Sequence, residues 1–172
     1  PFTDRSSIDY MARMDQFIDL IIPRGGKGLI EKVVSTARMP VIKHYDGVCH
    51  VYVHAEADLE MAADIVINSK CQKPGVCNAL ETLLVDAAIA SKFYPLIEAQ
   101  LRQSGVEIRA DEEALKHLAP NTKAATMEDW STEYLDLILS LKTVAGVDEA
   151  IDHINNFGSH HTDVIVTRDQ TT

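Results

Sequence analysis

Lys70-Cys-Gln-Lys-Pro-Gly-Val-Cys-Asn-Ala-Leu-Glu-Thr-Leu-Leu-Val85 is the stretch on which the fold turns. It leaves a helical pattern at Lys70, bends at Pro74-Gly75, reaches Cys77 and enters an apolar run that reads as a strand. Pro and Gly together punctuate a chain, because one fixes φ and the other frees it. A thiol on such a bend has its backbone fixed from both sides, while sulfur and amides face outward. That is a suitable setting for a nucleophile.

Local physics ranks the cysteines. Cys71 falls in the last helical turn, where the negative end of the helix dipole disfavours a thiolate. Cys49 lies in Val48-Cys-His-Val-Tyr-Val53, an apolar strand pattern in which a small hydrophobe is the ordinary reading. Cys77 follows the turn, with Lys70 and Lys73 near in sequence, and positive charge favours the thiolate. A free cysteine that is merely buried is the competing reading for Cys77.

Outward from this stretch, helical and strand patterns alternate. Upstream, Ile8, Met11, Met14 and Phe17 share one helical face. Ile18 to Ile22 reads as a buried parallel strand and Pro23-Arg24-Gly25-Gly26 as a turn. Leu29, Ile30, Val33 and Val34 mark a helix ending before Pro40, and Pro40-Val-Ile42 is the next strand. A strand–helix–strand unit of this kind makes a right-handed parallel crossover. Lys43 to Gly47 is a polar link. Val48 to Val53 is a strand, and a helix opening at Ala57-Asp58 leads to the Pro74-Gly75 bend.

Downstream, Thr82 to Val85 is a strand, and Ile89 to Leu101 a helix that Pro95 is expected to kink. Val106 to Arg109 is a short strand, Glu112 to Leu118 a turn or two of helix, and Pro120 to Met127 a loop. Leu135 to Val144 reads as a long strand, Val147 to Phe157 as a helix stopped at Gly158, and Val164 to Val166 as a last strand. The alternation predicts an α/β fold with a largely parallel sheet flanked by helices.

The chain has 172 residues, a formal charge of −10 and 46% hydrophobic residues, enough for a real core. The acidic balance argues against nucleic-acid binding. No apolar run reaches the roughly 20 residues of a membrane span, and no signal-like start is present. An odd number of cysteines without a secretory segment suggests reduced thiols and a cytoplasmic setting. Metal binding finds poor support. On a strand, His50 and His54 would stand about 13 Å apart at roughly 3.3 Å per residue, and the neighbours His160 and His161 would point apart. Cys71 and Cys77 do not match zinc-site spacing.

The quoted stretch resembles the active-cysteine segment of the γ-glutamyl phosphate reductase family, within the aldehyde dehydrogenase superfamily. Ile18-Asp-Leu-Ile-Ile-Pro-Arg-Gly-Gly26, Pro40-Val-Ile42, Gly47-Val-Cys-His-Val-Tyr-Val53, Thr132-Glu-Tyr134 and Phe157-Gly-Ser-His-His-Thr-Asp-Val-Ile-Val-Thr167 resemble it too, in the family's order. The resemblance implies residues 1–46 as the last part of a cofactor-binding domain and residues 47–172 as an aldehyde-dehydrogenase-like catalytic domain. It implies that the chain is a portion of a longer enzyme, inactive or slow alone, and that the whole enzyme is a homo-oligomer able to associate with glutamate 5-kinase.

The implied reaction is NADPH-dependent reduction of γ-glutamyl 5-phosphate to glutamate 5-semialdehyde in proline biosynthesis, with Cys77 as the catalytic thiol. Gly25 and Gly26, otherwise a generic strand-to-helix turn, would lie beside the cofactor phosphates, although the full Gly-x-Gly-x-x-Gly pattern is absent. Glu133, otherwise a solvated carboxylate at a strand entrance, would bind the nicotinamide ribose. Its neighbours Tyr134 and Leu135 stand where the superfamily often has other residues. Charge and nearness in sequence make Arg24 and Lys73 candidate phosphate partners and put Asn78 beside the substrate. Lys43-His-Tyr-Asp-Gly47 has no glutamate where acid-forming relatives activate water, which fits the phosphate-releasing branch, although His44 or Asp46 could act as a base. A binding or regulatory module of the same fold, and a thiol-redox protein pairing Cys71 with Cys77, are the alternatives.

Overall fold

A computed structural model describes residues 4, 6–43 and 46–172, in two compact units, Pro1–Asp46 and Gly47–Thr172.

The first unit contains α1 (Ser6–Met11) and α2 (Lys27–Thr36). Ile30 and Val33 of α2 are buried, as are Ala12 and Met39. Asp9 of α1 pairs with Lys32 of α2 at 2.7 Å. Here the structure is sparser than the sequence pattern predicts. The helix expected from Ile8 to Phe17 ends at Met11 and gives way to turns, with Phe17 78% exposed. The strands expected at 18–22 and 40–42 reduce to one parallel bridge, Ile21 with Val41. A parallel pair with no further neighbour has little to hold it.

The second unit is built on a parallel six-stranded sheet in the order β4-β3-β5-β2-β1-β6. Its strands are β1 (Cys49–Val53), β2 (Leu80–Asp86), β3 (Glu107–Ala110), β4 (Lys123–Ala124), β5 (Ile138–Val144) and β6 (Asp163–Val166). The connections carry α3 (Leu59–Cys71), α4 (Ala90–Gln103), the short α5 (Glu112–Leu115) and α6 (Val147–Phe157). All seven residues of β2 are buried, as a central strand covered on both faces requires. Ala62, Ala63 and Val66 of α3 and Phe93, Ile97 and Leu101 of α4 pack against Leu83 and Val85 of β2 and Leu139 and Leu141 of β5. On the other face Tyr52, Leu84 and Val144 enclose Ala150 of α6.

Local chemistry sets several boundaries. Asp58 caps α3 by accepting hydrogen bonds from the amides of Glu60 and Met61, each at 3.2 Å. The helix α4 runs through Pro95 without interruption, where a kink was expected. β5 begins at Ile138 and not at Leu135, because Leu135 adopts φ 55°, which no strand residue does. Gly158 ends α6 as expected, but in extended conformation, donating to the Ile154 carbonyl.

Candidate functional site

In a parallel sheet all strands start at the same edge. The loops leading into β1, β2 and β5, three neighbours in the sheet, therefore gather at the amino ends of the strands. Gly47 lies just before β1, Cys77 just before β2 and Glu133 before β5. Open α/β sheets commonly bind ligands at the carboxyl ends, so this grouping departs from that habit.

Cys77 is exposed and stands between α3 and β2. Two short turns shape its loop, with the amides of Val76 and Ala79 donating to the carbonyls of Lys73 and Val76 at 3.3 and 3.0 Å. Lys73 and Asn78 are exposed on the same loop. Two contacts fix the Cys77 carbonyl. The Cys49 thiol donates to it at 3.3 Å. Gly47 abuts it so closely that a Cβ on Gly47 would fall 1.8 Å from the Cys77 oxygen and 2.9 Å from its Cα. The Gly47 amide in turn donates to Glu133 Oε1 at 2.8 Å. Gly47, Cys49, Cys77 and Glu133 are thus one contact chain.

The segment carrying Glu133 is held from below. Tyr134 donates its hydroxyl to Asp129 Oδ1 at 2.7 Å and lies 2.7 Å from Ser140 Oγ. The Arg109 guanidinium sits 5.1 Å above the Tyr134 ring and pairs with Asp129 at 2.6 Å. Burial acts to raise the Asp129 carboxyl, but hydrogen bonds from Thr126, Arg109 and Tyr134 outweigh it and leave the group at about 2. The Leu135 amide donates to Glu81 Oε1 at 3.3 Å.

Glu81 is also the partner of Lys70, Nζ to Oε2 at 2.6 Å, with both side chains wholly buried. Burial pushes the Glu81 carboxyl up to about 7 and pulls the Lys70 ammonium down. This corrects an expectation. Lys70 does not lend a free positive charge to Cys77, because it reaches inward to an acid on the first part of β2. The pair ties the end of α3 to the start of β2, across the loop that bears Cys77. An acid inside the apolar run Ala79-Leu-Glu-Thr-Leu-Leu84 was the sequence signal for it.

The other candidates stand as follows. Cys49 is a buried strand thiol, raised to about 11 by burial and the Asp163 charge. Cys71 ends α3 and is partly buried, and all three cysteines are free. His50 Nδ1 meets Asp163 at 2.9 Å and His54 Nδ1 meets Thr167 at 2.9 Å. Among the described residues, no group of three His, Cys, Asp or Glu side chains converges as metal ligands would.

In the first unit, Arg24, Gly25 and Gly26 are exposed ahead of α2. Gly26 caps that helix without a side chain, and a Cβ placed on it would meet nothing within 4 Å. Asp46 pairs with Lys27 at 2.9 Å, while His44 lies outside the described residues. No helix among the described residues is long and apolar enough to cross a membrane.

The fold is that of the aldehyde dehydrogenases. An acetylating aldehyde dehydrogenase from Geobacillus thermoglucosidasius superposes with a TM-score of 0.72 at 21% identity, over 98% of this chain and 45% of that one. Within that class, two curated relatives of the chain are named γ-glutamyl phosphate reductase. The Geobacter metallireducens protein of that name is 55% identical over 169 residues, 98% of this chain and 40% of the relative. The Geotalea daltonii protein is 54% identical over the same span. The crystal structure of the Thermotoga maritima γ-glutamyl phosphate reductase gives a TM-score of 0.94 at 45% identity, over 98% of this chain and 41% of that one. The chain therefore spans about 40% of the length of the curated relatives it matches. No family model matches it.

Proposed function

We propose that this chain carries the catalytic thiol of a γ-glutamyl phosphate reductase, and that Cys77 is that thiol. The observation that carries the reading is the exposed Cys77 on a loop fixed at both ends, in a chain 55% identical to enzymes of that name. The proposed substrate is γ-glutamyl 5-phosphate. The Cys77 thiolate attacks the acyl carbon, the S–C bond forms, and the C–O bond to phosphorus breaks with release of inorganic phosphate. The thioester then takes up a hydride, and collapse of the thiohemiacetal breaks the C–S bond. Glutamate 5-semialdehyde leaves and the thiolate returns.

NADPH, when bound, supplies the hydride. Two features of the chain suit such a cofactor. The amides at the start of α2 follow Gly25-Gly26, where no side chain crowds Gly26. Among the described residues, Glu133 uses Oε1 on the Gly47 amide, and Oε2 has no hydrogen bond, leaving it for a ribose hydroxyl. Solved glyceraldehyde-3-phosphate dehydrogenases of this fold, from Methanocaldococcus jannaschii and Bacillus halodurans, were crystallised with NADP. Lys73 and Arg24 are the cations offered to phosphate, and Asn78 adjoins the thiol in sequence. The Cys77 amide is a donor for the developing oxyanion, worth about 3 kcal/mol in comparable sites. The pathway served is proline biosynthesis, in the cytoplasm, by a homo-oligomer that can associate with glutamate 5-kinase. Turnover belongs to a chain of the relatives' length, and the 172-residue chain alone is expected to be slow or inactive.

The test is Cys77→Ser in the full-length protein, with phosphate-dependent oxidation of glutamate 5-semialdehyde followed by nucleotide absorbance. A loss of at least 10³-fold in kcat with folding intact is expected, in line with removal of a covalent nucleophile. Retention of most activity would remove Cys77 from the chemistry.

A further inference from the structure

We infer that Glu133 and Gly47 are positioning residues for Cys77, a role that rests on the proposed reading of Cys77 and goes beyond a ribose contact. The Glu133 carboxylate accepts from the Gly47 amide at 2.8 Å. This seats the edge of Gly47 against the Cys77 carbonyl, where a Cβ would overlap that oxygen at 1.8 Å. Only glycine leaves room for this approach. The Cys49 thiol, two residues on, donates to the same oxygen at 3.3 Å. The peptide unit joining Cys77 to Asn78 is therefore held from the β1 side, and the β1 side is held by Glu133.

Two further anchors keep Glu133 in place. Leu135 hangs on the buried Glu81, and Tyr134 on Asp129 and Ser140. Gly47 is itself buried, so water does not compete freely for its amide. Loss of the carboxylate leaves a buried donor unpaired at the point where the chain leans on the reactive loop. A displacement there of one ångström is enough to matter to a reacting centre.

A ribose ligand acts only when nucleotide is present, whereas a brace acts always. The full-length protein without nucleotide is alkylated with iodoacetamide, and the Cys77 peptide is followed by mass spectrometry. Glu133→Ala is expected to change the Cys77 rate at least threefold in the absence of nucleotide, and to lower kcat about tenfold in addition to the rise in nucleotide KM that loss of the ribose contact brings. Glu133→Gln keeps an oxygen acceptor for the Gly47 amide and is expected to restore the alkylation rate to within twofold. Gly47→Ala, which must push Cys77 aside, is expected to change that rate at least threefold as well, and it carries the test should Glu133→Ala fail to fold.

Wild-type alkylation rates in Glu133→Ala or Gly47→Ala overturn the proposal, and a rise confined to nucleotide KM assigns Glu133 to the ribose alone. Since alkylation needs no turnover, this result stands apart from the activity of Cys77→Ser, on which the functional reading depends.

Discussion

Lys70 and Glu81 show why a charge count along the sequence misleads about a thiol. Lys70 lies seven residues before Cys77 in sequence, yet its ammonium is buried against an acid. Removing one member of such a pair leaves an uncompensated buried charge, which costs about 3–5 kcal/mol. Lys70→Met is expected to destabilise the protein by that amount at pH 8, measured by urea unfolding. The sign with pH follows from Glu81. Burial already raises its carboxyl to about 7, above its unfolded value of 4.5, so its charged form is the one the fold disfavours. In Lys70→Met that penalty applies above about pH 4.5, grows as pH rises and shrinks toward pH 5 as the carboxyl takes up a proton. Lys70→Met with Glu81→Leu removes both charges and is expected to recover most of the loss. A single variant as stable as wild type at pH 8 would show that the pair contributes nothing.

At the scale of elements, the parallel β/α alternation was readable because the central strands β1 and β2 are mostly apolar and the long helices α3, α4 and α6 carry periodic apolar faces. β2 is the plainest case, although it also buries Glu81, Thr82 and Asp86. The errors have physical causes. Ile18–Ile22 and Pro40–Ile42 have strand-like residues, but a strand is stable only beside others, and one bridge is all that forms here. The first residues of the expected Leu135–Val144 strand were lost to the anchors on Glu81 and Asp129, which no periodicity reports. The exposed turn that carries Cys77 was legible because Pro74-Gly75 is a local signal. Gly47 was not, since its function depends on a neighbour thirty residues away in the chain.

The docking of α6 is another non-local matter. Its His153 is buried, with its ring against Trp130, Phe157 and His50 of β1, and Nδ1 3.4 Å from Lys142 Nζ of β5. Burial, then Lys142, then His50 pull the imidazole down to about 3 from 6.5. The folded value lies below the unfolded one, so protonation favours unfolding. This contribution is complete above pH 6.5 and is lost as pH falls toward 3, at about 1.4 kcal/mol per pH unit. His153→Phe keeps a ring in the cluster but cannot charge. Between pH 7.5 and 4.5, urea melts are expected to show the variant losing about 2–3 kcal/mol less than wild type. Parallel acid limbs for the two proteins would mean that His153 is not held neutral.

At the scale of the molecule, the apolar cores lie entirely in the second unit. Both clusters draw their residues from between Val51 and Val166. That unit, Gly47–Thr172, also holds the whole six-stranded sheet and the contact chain from Glu133 to Cys77. Among the described residues of the first unit, Pro1–Asp46, the buried apolar ones are Ala12, Ile30, Val33 and Met39. Chain entropy costs each ordered residue about 1–2 kcal/mol, so the ratio of buried apolar surface to length decides which part stands alone. A polypeptide starting at Asp46, which preserves the Gly47 amide, is expected to fold by itself with one cooperative urea transition and a Cys77 alkylation rate within twofold of the 172-residue chain. Residues 1–46 made separately are expected to show no cooperative transition, because a piece of that size rarely encloses enough apolar surface. The decisive readings are circular dichroism for the transition and peptide mapping for the thiol. A broad, non-cooperative melt of the Asp46–Thr172 chain would show that its core depends on the first unit. A normal melt with an altered Cys77 rate would instead place part of the loop's support there.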